Sequence, residues 1–553
     1  MVFLRIAVLS LLGAGCSAQP FVYYRGAVNA ASYLPPGLPN APIARGSMFS
    51  VFGRALGPAA PQQVSAFPLQ TTFAEVSVSV SQGTATSAAL PVFVSAGQLN
   101  VIMPSDAPLG QVALRVTFSG QTSNPIPVTV ADSSVGLFSV NGGGFGPGIV
   151  QNFLAATDVR LNSLAASVKP GAVAIAWGTG LGAAPFPDAS APTPLTIETG
   201  TEVFVGGKKA NVLYAGRSSC CSSIDQISFA VPADAPAGCY VPVAVRTKGR
   251  VVSNTVTMAI DPAGAPCRDA SNPLSGQFRS GGRTALAMLG RENLRVERSN
   301  GTTFDVIGDV ALATFRQFNV SDFHFNMFTA LPPLGTCTVY AGAAQRAGSP
   351  SSQFAPQGPQ INVGSPLTIG GTGVPSATIP AAPGFEGSFL TLLASSTTER
   401  AGGPGLLFNN GPFSITAPGT GFVAPFRALL DRVTPVSWTN RDAIREIVRT
   451  NDLPLTWTAA PGTGRGVLIL GLSNRGSSNA SAWFACIAPG TATNFTVPNY
   501  VLTALPPSDS GRTVDQGRIS LVNIPLQSSG TVPGFDNTFL GVSAATGKTG
   551  VVK

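Results

Sequence analysis

The sequence predicts an all-β chain in which tandem immunoglobulin-like sandwiches precede a larger β-rich unit. Apolar runs with period-two alternation recur along the chain, and glycine and proline turns separate them. The chain is 44% hydrophobic and only 10% charged, yet it holds 63 glycines and 47 prolines. That combination is typical of packed strands joined by many turns and not of a disordered chain.

An internal repeat divides the first half of the chain. The stretch from Lys169 to Gly182 echoes the stretch from Ala44 to Gly57, and similar strands and Asp-Ala-Pro-x-Gly turns follow both. The spacing of about 125 residues is the length of one sandwich domain and far exceeds a solenoid unit. We therefore predict two copies of one immunoglobulin-like domain, at 21–138 and 139–268.

Motifs within the repeats resemble known domain families. The run from Pro170 to Gly182 resembles the opening of IPT/TIG-type immunoglobulin-like domains. Val28–Tyr33, Ala96–Asn100 and Ser123-Asn124 resemble a paralogous family of secreted bacterial domains, abundant in acidobacteria and of unknown function. The second copy lacks the Asn-Ala-Ala-Ser signature of the first. The resemblance implies an exported sandwich and brings no catalytic residue with it.

The N-terminal sequence indicates an export signal. A short basic segment precedes an apolar run from Ile6 to Ala14, which is too short to cross a bilayer. We predict a signal peptide at 1–18, cleaved before Gln19. The alternative is lipidation of Cys16, because Gly13–Cys16 resembles a lipobox, although Gly13 stands where leucine or valine is usual. Since no later stretch is a convincing membrane span, we expect a released or surface-attached protein.

Six cysteines follow the signal: Cys220, Cys221, Cys239, Cys267, Cys337 and Cys486. An even number in an exported chain predicts disulfides. We expect a Cys337–Cys486 bridge and two bridges among the first four cysteines, with the vicinal pair the least favoured because adjacent residues rarely reach disulfide geometry. Two connectivities for those four remain open. Structural zinc is disfavoured by the cysteine spacing and the near absence of histidine.

The C-terminal half also reads as strands, with a β module at 271–350 and a sandwich-like domain at 353–553. If Cys337 and Cys486 pair, the two form one unit. A short helix is predicted near 441–449, because Asn440 can cap it and Ile444, Ile447 and Val448 share one helical face.

Catalytic patterns are scarce. His324, the single histidine, stands among aromatic residues, and no Gly-x-Ser-x-Gly elbow accompanies it, so we predict a structural histidine. A glycosidase needs only two facing carboxylates, and the candidate acids are Asp305, Asp309 and Asp322. We expect no enzyme activity, no cofactor and no metal site.

Binding residues are equally sparse. Gln98 and Gln226 occupy equivalent places in the repeats, either as a duplicated ligand site or, as we favour, as amides that pin a neighbouring loop. For Trp177, Trp438, Trp457 and Trp483 we favour core packing over an exposed sugar-binding row. A group of arginines could form a patch for an acidic polysaccharide or nucleic acid, but without interleaved aromatics we predict exposed strand and turn positions. Its members are Arg279, Arg283, Arg291, Arg295 and Arg298.

Two hypotheses of function follow. The first is an exported, non-enzymatic binding, adhesion or scaffold protein, whose partner is a polysaccharide or another surface protein and not nucleic acid. The second is a secreted glycan-active hydrolase with its carboxylates within 271–553. The sequence does not identify a ligand.

Overall fold

The computed structural model describes most of the chain after the predicted signal. The described residues are 19–269, 272, 275, 279–298, 300–326, 330–343, 358–371, 374–381, 387–397, 412–431, 433–458, 461–475, 477, 480–508 and 517–553. Strand accounts for about 53% of the structure and helix for 3%, which confirms the all-β prediction. The predicted signal and Cys16 lie outside the described residues.

The first sandwich comprises eleven strands that surround one apolar core. They are β1 (Phe21–Asn29), β2 (Ile43–Ala44), β3 (Met48–Arg54), β4 (Gln62–Gln63), β5 (Thr72–Phe73), β6 (Val76–Gln82), β7 (Ala85–Val94), β8 (Gln98–Ile102), β9 (Gly110–Phe118), β10 (Gln121–Thr122) and β11 (Ile126–Ala131). The main path of pairing runs β1-β3-β8-β7-β6-β9-β11-β2. Alternating burial along β6 directs its valines into the core and its serines outward.

The second sandwich also comprises eleven strands around its own core. They are β12 (Gly136–Leu137), β13 (Val150–Ala155), β14 (Asp158–Leu161), β15 (Val173–Thr179), β16 (Leu195–Thr196), β17 (Glu202–Val205), β18 (Lys208–Arg217), β19 (Asp225–Ala230), β20 (Gly238–Thr247), β21 (Val251–Val252) and β22 (Val256–Ile260). The pairing β13-β15-β19-β18-β17-β20, with β22 beside β20, repeats the order β1-β3-β8-β7-β6-β9-β11 of the first sandwich. The strand order thus carries the same duplication as the sequence.

The Ser-Asn motif of the repeats has the same structural role in both copies. Asn124 exchanges two hydrogen bonds with the backbone of Val22, both of 3.0 Å. Asn254 exchanges two bonds of 2.8 Å with the backbone of Leu137. Each amide therefore acts as a backbone surrogate that ties the first strand of its sandwich to the end of the domain.

The described residues of the C-terminal unit, within 282–553, form three sheets with nine, four and three strands. The first comprises β23 (Gly282–Glu297), β24 (Thr303–Phe318), β25 (Cys337–Ala343), β28 (Ser388–Thr397), β32 (Glu446–Ile447), β34 (Arg465–Arg475), β35 (Ala480–Pro489), β37 (Gly517–Pro525) and β38 (Asn537–Val552). The second comprises β26 (Leu367–Gly371), β27 (Val374–Ile379), β29 (Phe413–Ala417) and β30 (Phe426–Leu430), and the third β31 (Ser437–Trp438), β33 (Leu453–Thr458) and β36 (Asn494–Val497). The nine-stranded sheet joins strands from both sides of the predicted boundary near residue 350.

The predicted helix near 441–449 is wrong. Only a single 3-10 turn forms, at Arg441–Ala443, and the Asn440 side chain does not cap it. Ile447 belongs to β32, which pairs in parallel with the C-terminal strand at Val552. Pairing with a strand about a hundred residues away has overridden the local helical periodicity. A short helix that the sequence did not indicate, α1, spans Asn499–Thr503.

The disulfide framework matches one prediction and corrects another. Cys337 and Cys486 are bonded and lie opposite each other in β25 and β35, as predicted. Cys239 bonds to Cys267 inside an aromatic cluster, so neither is available to Cys220 or Cys221. Both connectivities predicted for the first four cysteines are therefore wrong. The physical reason is that Cys220 and Cys221 lie exposed on a hairpin, away from that buried cluster.

The junction between the two sandwiches is polar and buried. Asn29, from the Asn-Ala-Ala-Ser signature, accepts bonds from the backbone N–H groups of Ala31 and Ser32 at 2.9 and 3.1 Å. Its amide donates to the carbonyl oxygens of Thr179 and Ser134 at 3.1 and 3.3 Å. The signature is thus a turn that reaches into the second domain, and the junction needs it only once.

A buried ion pair completes this junction. Arg217 pairs with Asp225, and the carboxylate also accepts a bond of 2.8 Å from the Leu181 N–H. The same guanidinium donates to the carbonyl oxygens of Gly46, at 2.7 Å, and Gly182. Burial raises the pKa of Asp225, and Arg217 with the backbone donors opposes that rise.

Candidate anion-binding cleft

The carboxylates considered for hydrolysis do not form the required pair. Asp309 and Asp305 both lie on β24; Asp309 is fully buried and bonded to Arg291, and Asp305 is bonded to Arg295, both arginines being on the neighbouring β23. Four residues along a strand separate Asp305 from Asp309 by about 13 Å, more than the roughly 5–9.5 Å that glycosidases use. Asp322 is exposed in the loop after β24. Asp309 and Asp305 therefore have a structural role, since their ion pairs join β24 to β23.

Two of the grouped arginines of 279–298 form ion pairs within the C-terminal unit, Arg291 with Asp309 and Arg295 with Asp305. Besides the pairs with Asp305 and Asp309, Arg295 contacts Asp442 at 3.0 Å. Arg298 lies over the ring of Phe304, with 4.4 Å from its guanidinium carbon to the ring centre. Arg283 lies over Phe535 in the same way, at 5.2 Å. Arg291 and Arg295 therefore join β23 to β24 through ion pairs, and Arg283 and Arg298 pack on aromatic rings.

His324 is a packed histidine. It is 3% exposed, and its ring meets that of Phe318 edge-on with centres 4.9 Å apart. Its backbone oxygen accepts a 2.9 Å bond from the Tyr240 hydroxyl, which links the second sandwich to the loop after β24. Burial lowers the pKa of His324 to about 4. The side chain is thus a neutral structural group at pH 7.

We expect His324 to make the protein acid-labile. The unfolded chain takes up the proton near pH 6.5, whereas the folded chain resists it until about pH 4. Stability contributed by the neutral ring is complete above pH 6.5 and is lost as the pH falls, to a total of about 3 kcal/mol in the free energy of unfolding. Urea unfolding at pH 7.0, 5.5 and 4.5 should show this loss in the wild type and a smaller one in His324→Gln. Parallel profiles for the two proteins would contradict the assignment.

Gln98 and Gln226 have equivalent partners in the two repeats. The Gln98 amide donates to Asn100 Oδ1 at 3.0 Å, and the Gln226 amide donates to Ser228 Oγ at 3.1 Å. Each bond joins residues two apart on one strand, and neither bond reaches a neighbouring loop. Neither glutamine lines the cleft formed by Arg25, Arg449 and Arg475.

The tryptophans pack within their domains. Trp438 and Trp457 are 7% and 2% exposed and lie opposite each other in β31 and β33. Trp177 is half-buried and donates to Gln151 Oε1 at 2.8 Å, and Trp483 packs on Tyr340 with ring centres 4.5 Å apart. They do not form an exposed row.

The described part of the chain has neither a clustered metal-ligand set nor a helix suited to a membrane. No group of three or more His, Cys, Asp or Glu side chains there is placed to hold a metal ion. None of the helices there has the length and apolar character needed to cross a bilayer.

A cleft of about 450 Å³ lies where the first sandwich meets the C-terminal unit. Three arginines line it: Arg25 from β1, Arg449 from the segment after β32, and Arg475 from the end of β34. None of the described residues that line the cleft is an aspartate or a glutamate. The described lining of the cleft is therefore rich in positive charge.

A β-bulge in β1 brings the first of these arginines to the cleft. The pairing of β1 with β3 shifts between Val22 and Ala27, and Arg25 takes a left-handed φ of 63°. A Cβ on Gly26 would lie 2.6 Å from the carbonyl oxygen of Phe52, so the bulge needs glycine there. The bulge leaves Tyr24 57% exposed, with the Arg25 guanidinium 5.4 Å from its ring centre.

Arg449 is fixed from the C-terminal side. Its backbone N–H donates to Lys553 O at 3.0 Å, and its Nη1 donates to Leu505 O at 3.0 Å. Its Nε is buried and has no hydrogen-bond partner among the described residues. Burial, and then the positive charge of Arg475, lower the pKa of Arg449. An anion placed between the two guanidinium groups would relieve both effects.

The rest of the lining suits a hydrated, polar ligand. Gln111 and Thr129 lie on the first sandwich beside the arginines and are exposed. Prolines form much of the wall and make it rigid; they are Pro36, Pro39, Pro42, Pro127 and Pro507. The cleft offers forked donors for a carboxylate, sulfate or phosphate, an aromatic face at Tyr24 and a few neutral polar groups.

Comparisons with known proteins identify no family. No family model matches the chain, and no curated protein does. Solved structures match with TM-scores far below 0.5. Plexin A4 is 10% identical, with a TM-score of 0.17, and the match covers 44% of this chain and 18% of plexin A4. Domains 4–9 of the surface layer protein SbsC are also 10% identical, with a TM-score of 0.17, and the match covers 92% of this chain and 64% of that chain. SGBP-B, from a complex xyloglucan utilization locus in Bacteroides uniformis, is 12% identical, with a TM-score of 0.15, and the match covers 68% of this chain and 86% of SGBP-B. The chain spans less than two thirds of the first two, and at these TM-scores the likeness carries no argument about function.

Proposed function

We propose that this is an exported, non-enzymatic binding protein whose cleft holds an acidic polysaccharide. The observation that carries the proposal is the meeting of Arg25, Arg449 and Arg475 in one cleft whose described lining has no carboxylate. The predicted signal peptide supports export, as do the two disulfides. The resemblance to secreted bacterial domains remains a prediction.

The size of the cleft favours a polysaccharide over a folded protein partner. A volume of about 450 Å³ is typical of a site for a small group or a chain segment. A stable protein interface needs roughly 800 Å² on each partner and is flatter. Uronate carboxylates or sulfates would pair with the guanidinium groups, and a sugar ring would pack on the exposed face of Tyr24.

Titration calorimetry of the full mature chain would test the proposal. The ligands are polygalacturonate, dextran sulfate and neutral dextran, each at 50 and 300 mM NaCl. We expect binding to at least one acidic polymer, weaker at high salt, and none to dextran. In Arg449→Met/Arg475→Met the affinity should fall at least tenfold, because two charge-assisted hydrogen bonds are lost at about 1.5–3 kcal/mol each.

The matched control removes the same charge elsewhere. Arg160 and Arg250 are exposed in the second sandwich and lie outside the cleft. If binding is diffuse, Arg160→Met/Arg250→Met will weaken it as much as the cleft variant does, and the proposal fails. Equal binding of neutral dextran would also contradict it. Circular dichroism of the cleft variant verifies the fold, since Arg449 also bonds to Leu505.

A further inference from the structure

The exposed hairpin between β18 and β19 holds two adjacent cysteines. The Sγ atoms of Cys220 and Cys221 lie 2.6 Å apart, about half an ångström more than the length of a disulfide bond. Both side chains are exposed. The other four described cysteines are already bonded to each other. Within the described chain, each of these two thiols therefore has only its neighbour as a covalent partner.

The hairpin keeps the two sulfur atoms together. The Ser218 N–H donates to Ile224 O at 3.0 Å, and the Ile224 N–H donates to Cys221 O at 3.3 Å. Ser218 Oγ lies 3.4 Å from Cys220 Sγ, and Ser223 turns the chain with a φ of 58°. The buried Arg217–Asp225 pair closes the base of the hairpin. The tip is thus a short, anchored turn in which the thiols cannot easily separate.

We propose that Cys220 and Cys221 form a reversible vicinal disulfide, made by exchange with a low-molecular-weight disulfide. The Cys220 thiolate attacks one sulfur of that disulfide and expels a thiolate, which takes the proton that Cys220 released. Cys221 then attacks the mixed disulfide at the Cys220 sulfur and expels the second thiolate, which takes the Cys221 proton. Overall, two protein thiols are oxidised, and one small disulfide is reduced to two thiols.

The order of attack follows from the environment of the two thiols. Although the side chain is exposed, partial desolvation of its sulfur, and then the neighbouring Cys220, raise the pKa of the Cys221 thiol to about 11. Cys221 is therefore a poor first nucleophile and acts as the resolving thiol. The product is exposed, whereas Cys239–Cys267 and Cys337–Cys486 are buried. We expect mild reduction to open the vicinal bridge first, as exposed disulfides are the more labile.

Thiol mapping of the full chain tests the proposal. The protein is treated with oxidised glutathione, denatured in N-ethylmaleimide and digested for mass spectrometry. We expect no label and no glutathione on the peptide that holds Cys220 and Cys221. Brief treatment with dilute dithiothreitol before denaturation should add two labels to that peptide and none to the other cysteines.

Single substitutions distinguish the mechanism from simple oxidation. In Cys221→Ser the resolving thiol is missing, so Cys220 should retain glutathione as a stable mixed disulfide. Wild-type protein that keeps two labelled thiols, or keeps glutathione on Cys220, after the same oxidation would overturn the proposal. Disulfide-linked dimers through this peptide would also overturn it.

Discussion

Asp225→Asn is expected to lower the free energy of unfolding by about 3–5 kcal/mol, because it leaves the charge of Arg217 buried without a counterion. The side chain of Arg217 is 6% exposed and that of Asp225 is 0% exposed, so water cannot replace the lost carboxylate. The loss should concentrate at the junction of the two sandwiches, where Arg217 also holds the carbonyl oxygens of Gly46 and Gly182. Calorimetry measures the loss of unfolding free energy, and faster hydrogen exchange in β15 and β19 would locate the loss at this junction.

Two further variants serve as controls for Asp225→Asn. Arg217→Met/Asp225→Leu removes both charges and should lose less stability than Asp225→Asn, with a residual loss from the two unpaired glycine carbonyls. Asp158→Asn breaks the exposed pair with Arg160 and should leave unfolding unchanged within error. If Asp225→Asn behaved like Asp158→Asn, the pair would not be a buried junction element.

The duplicated sandwich was predictable because equivalent positions in the two repeats have backbone geometries that require glycine. Gly46 and Gly171 both have left-handed φ angles, 66° and 81°. A Cβ on Gly53 or Gly178 would lie 2.2 or 2.4 Å from a carbonyl oxygen of the neighbouring strand. Such positions tolerate only glycine, so the pattern survives in both copies while the side chains around it differ. Local constraints of this kind are visible in a single sequence.

Features that depend on distant partners were not predictable. The 446–447 segment has helical periodicity, yet it forms a strand because the C-terminal β38 offers it an edge. Cysteine spacing could not choose between Cys220, Cys221 and Cys267 as the partner of Cys239, since burial in the aromatic cluster decides the matter. Long-range pairing and burial are properties of the assembled fold.

The cleft was missed for the same reason. Arg25 lies in the first sandwich and Arg449 and Arg475 in the C-terminal unit, so no local motif joins them. Among the arginines grouped in sequence, Arg291 and Arg295 form structural ion pairs with Asp309 and Asp305. The one available signal was Tyr24-Arg25, an aromatic and a basic residue next to each other before Gly26 in the first strand.

Replacing both Cys337 and Cys486 with alanine is expected to lower the free energy of unfolding of the C-terminal unit by about 5 kcal/mol under the chain-entropy account. The bridge spans 149 residues and joins β25 to β35, so its loss greatly enlarges the unfolded ensemble. Three of the four tryptophans belong to this unit, so fluorescence in a Trp177→Phe background reports its unfolding alone. Urea denaturation of that background, with and without the double substitution, measures the loss.

The second buried bridge supplies the matched comparison. Cys239–Cys267 spans 28 residues, and the same account gives about 3.5 kcal/mol for its removal. Both bridges are buried, so the loss of packing from cysteine to alanine is similar in the two double variants. Calorimetry should therefore show a larger loss for the 149-residue bridge, by about 1.5 kcal/mol. Equal losses would show that enthalpy and local packing, not loop closure, determine what these bridges contribute.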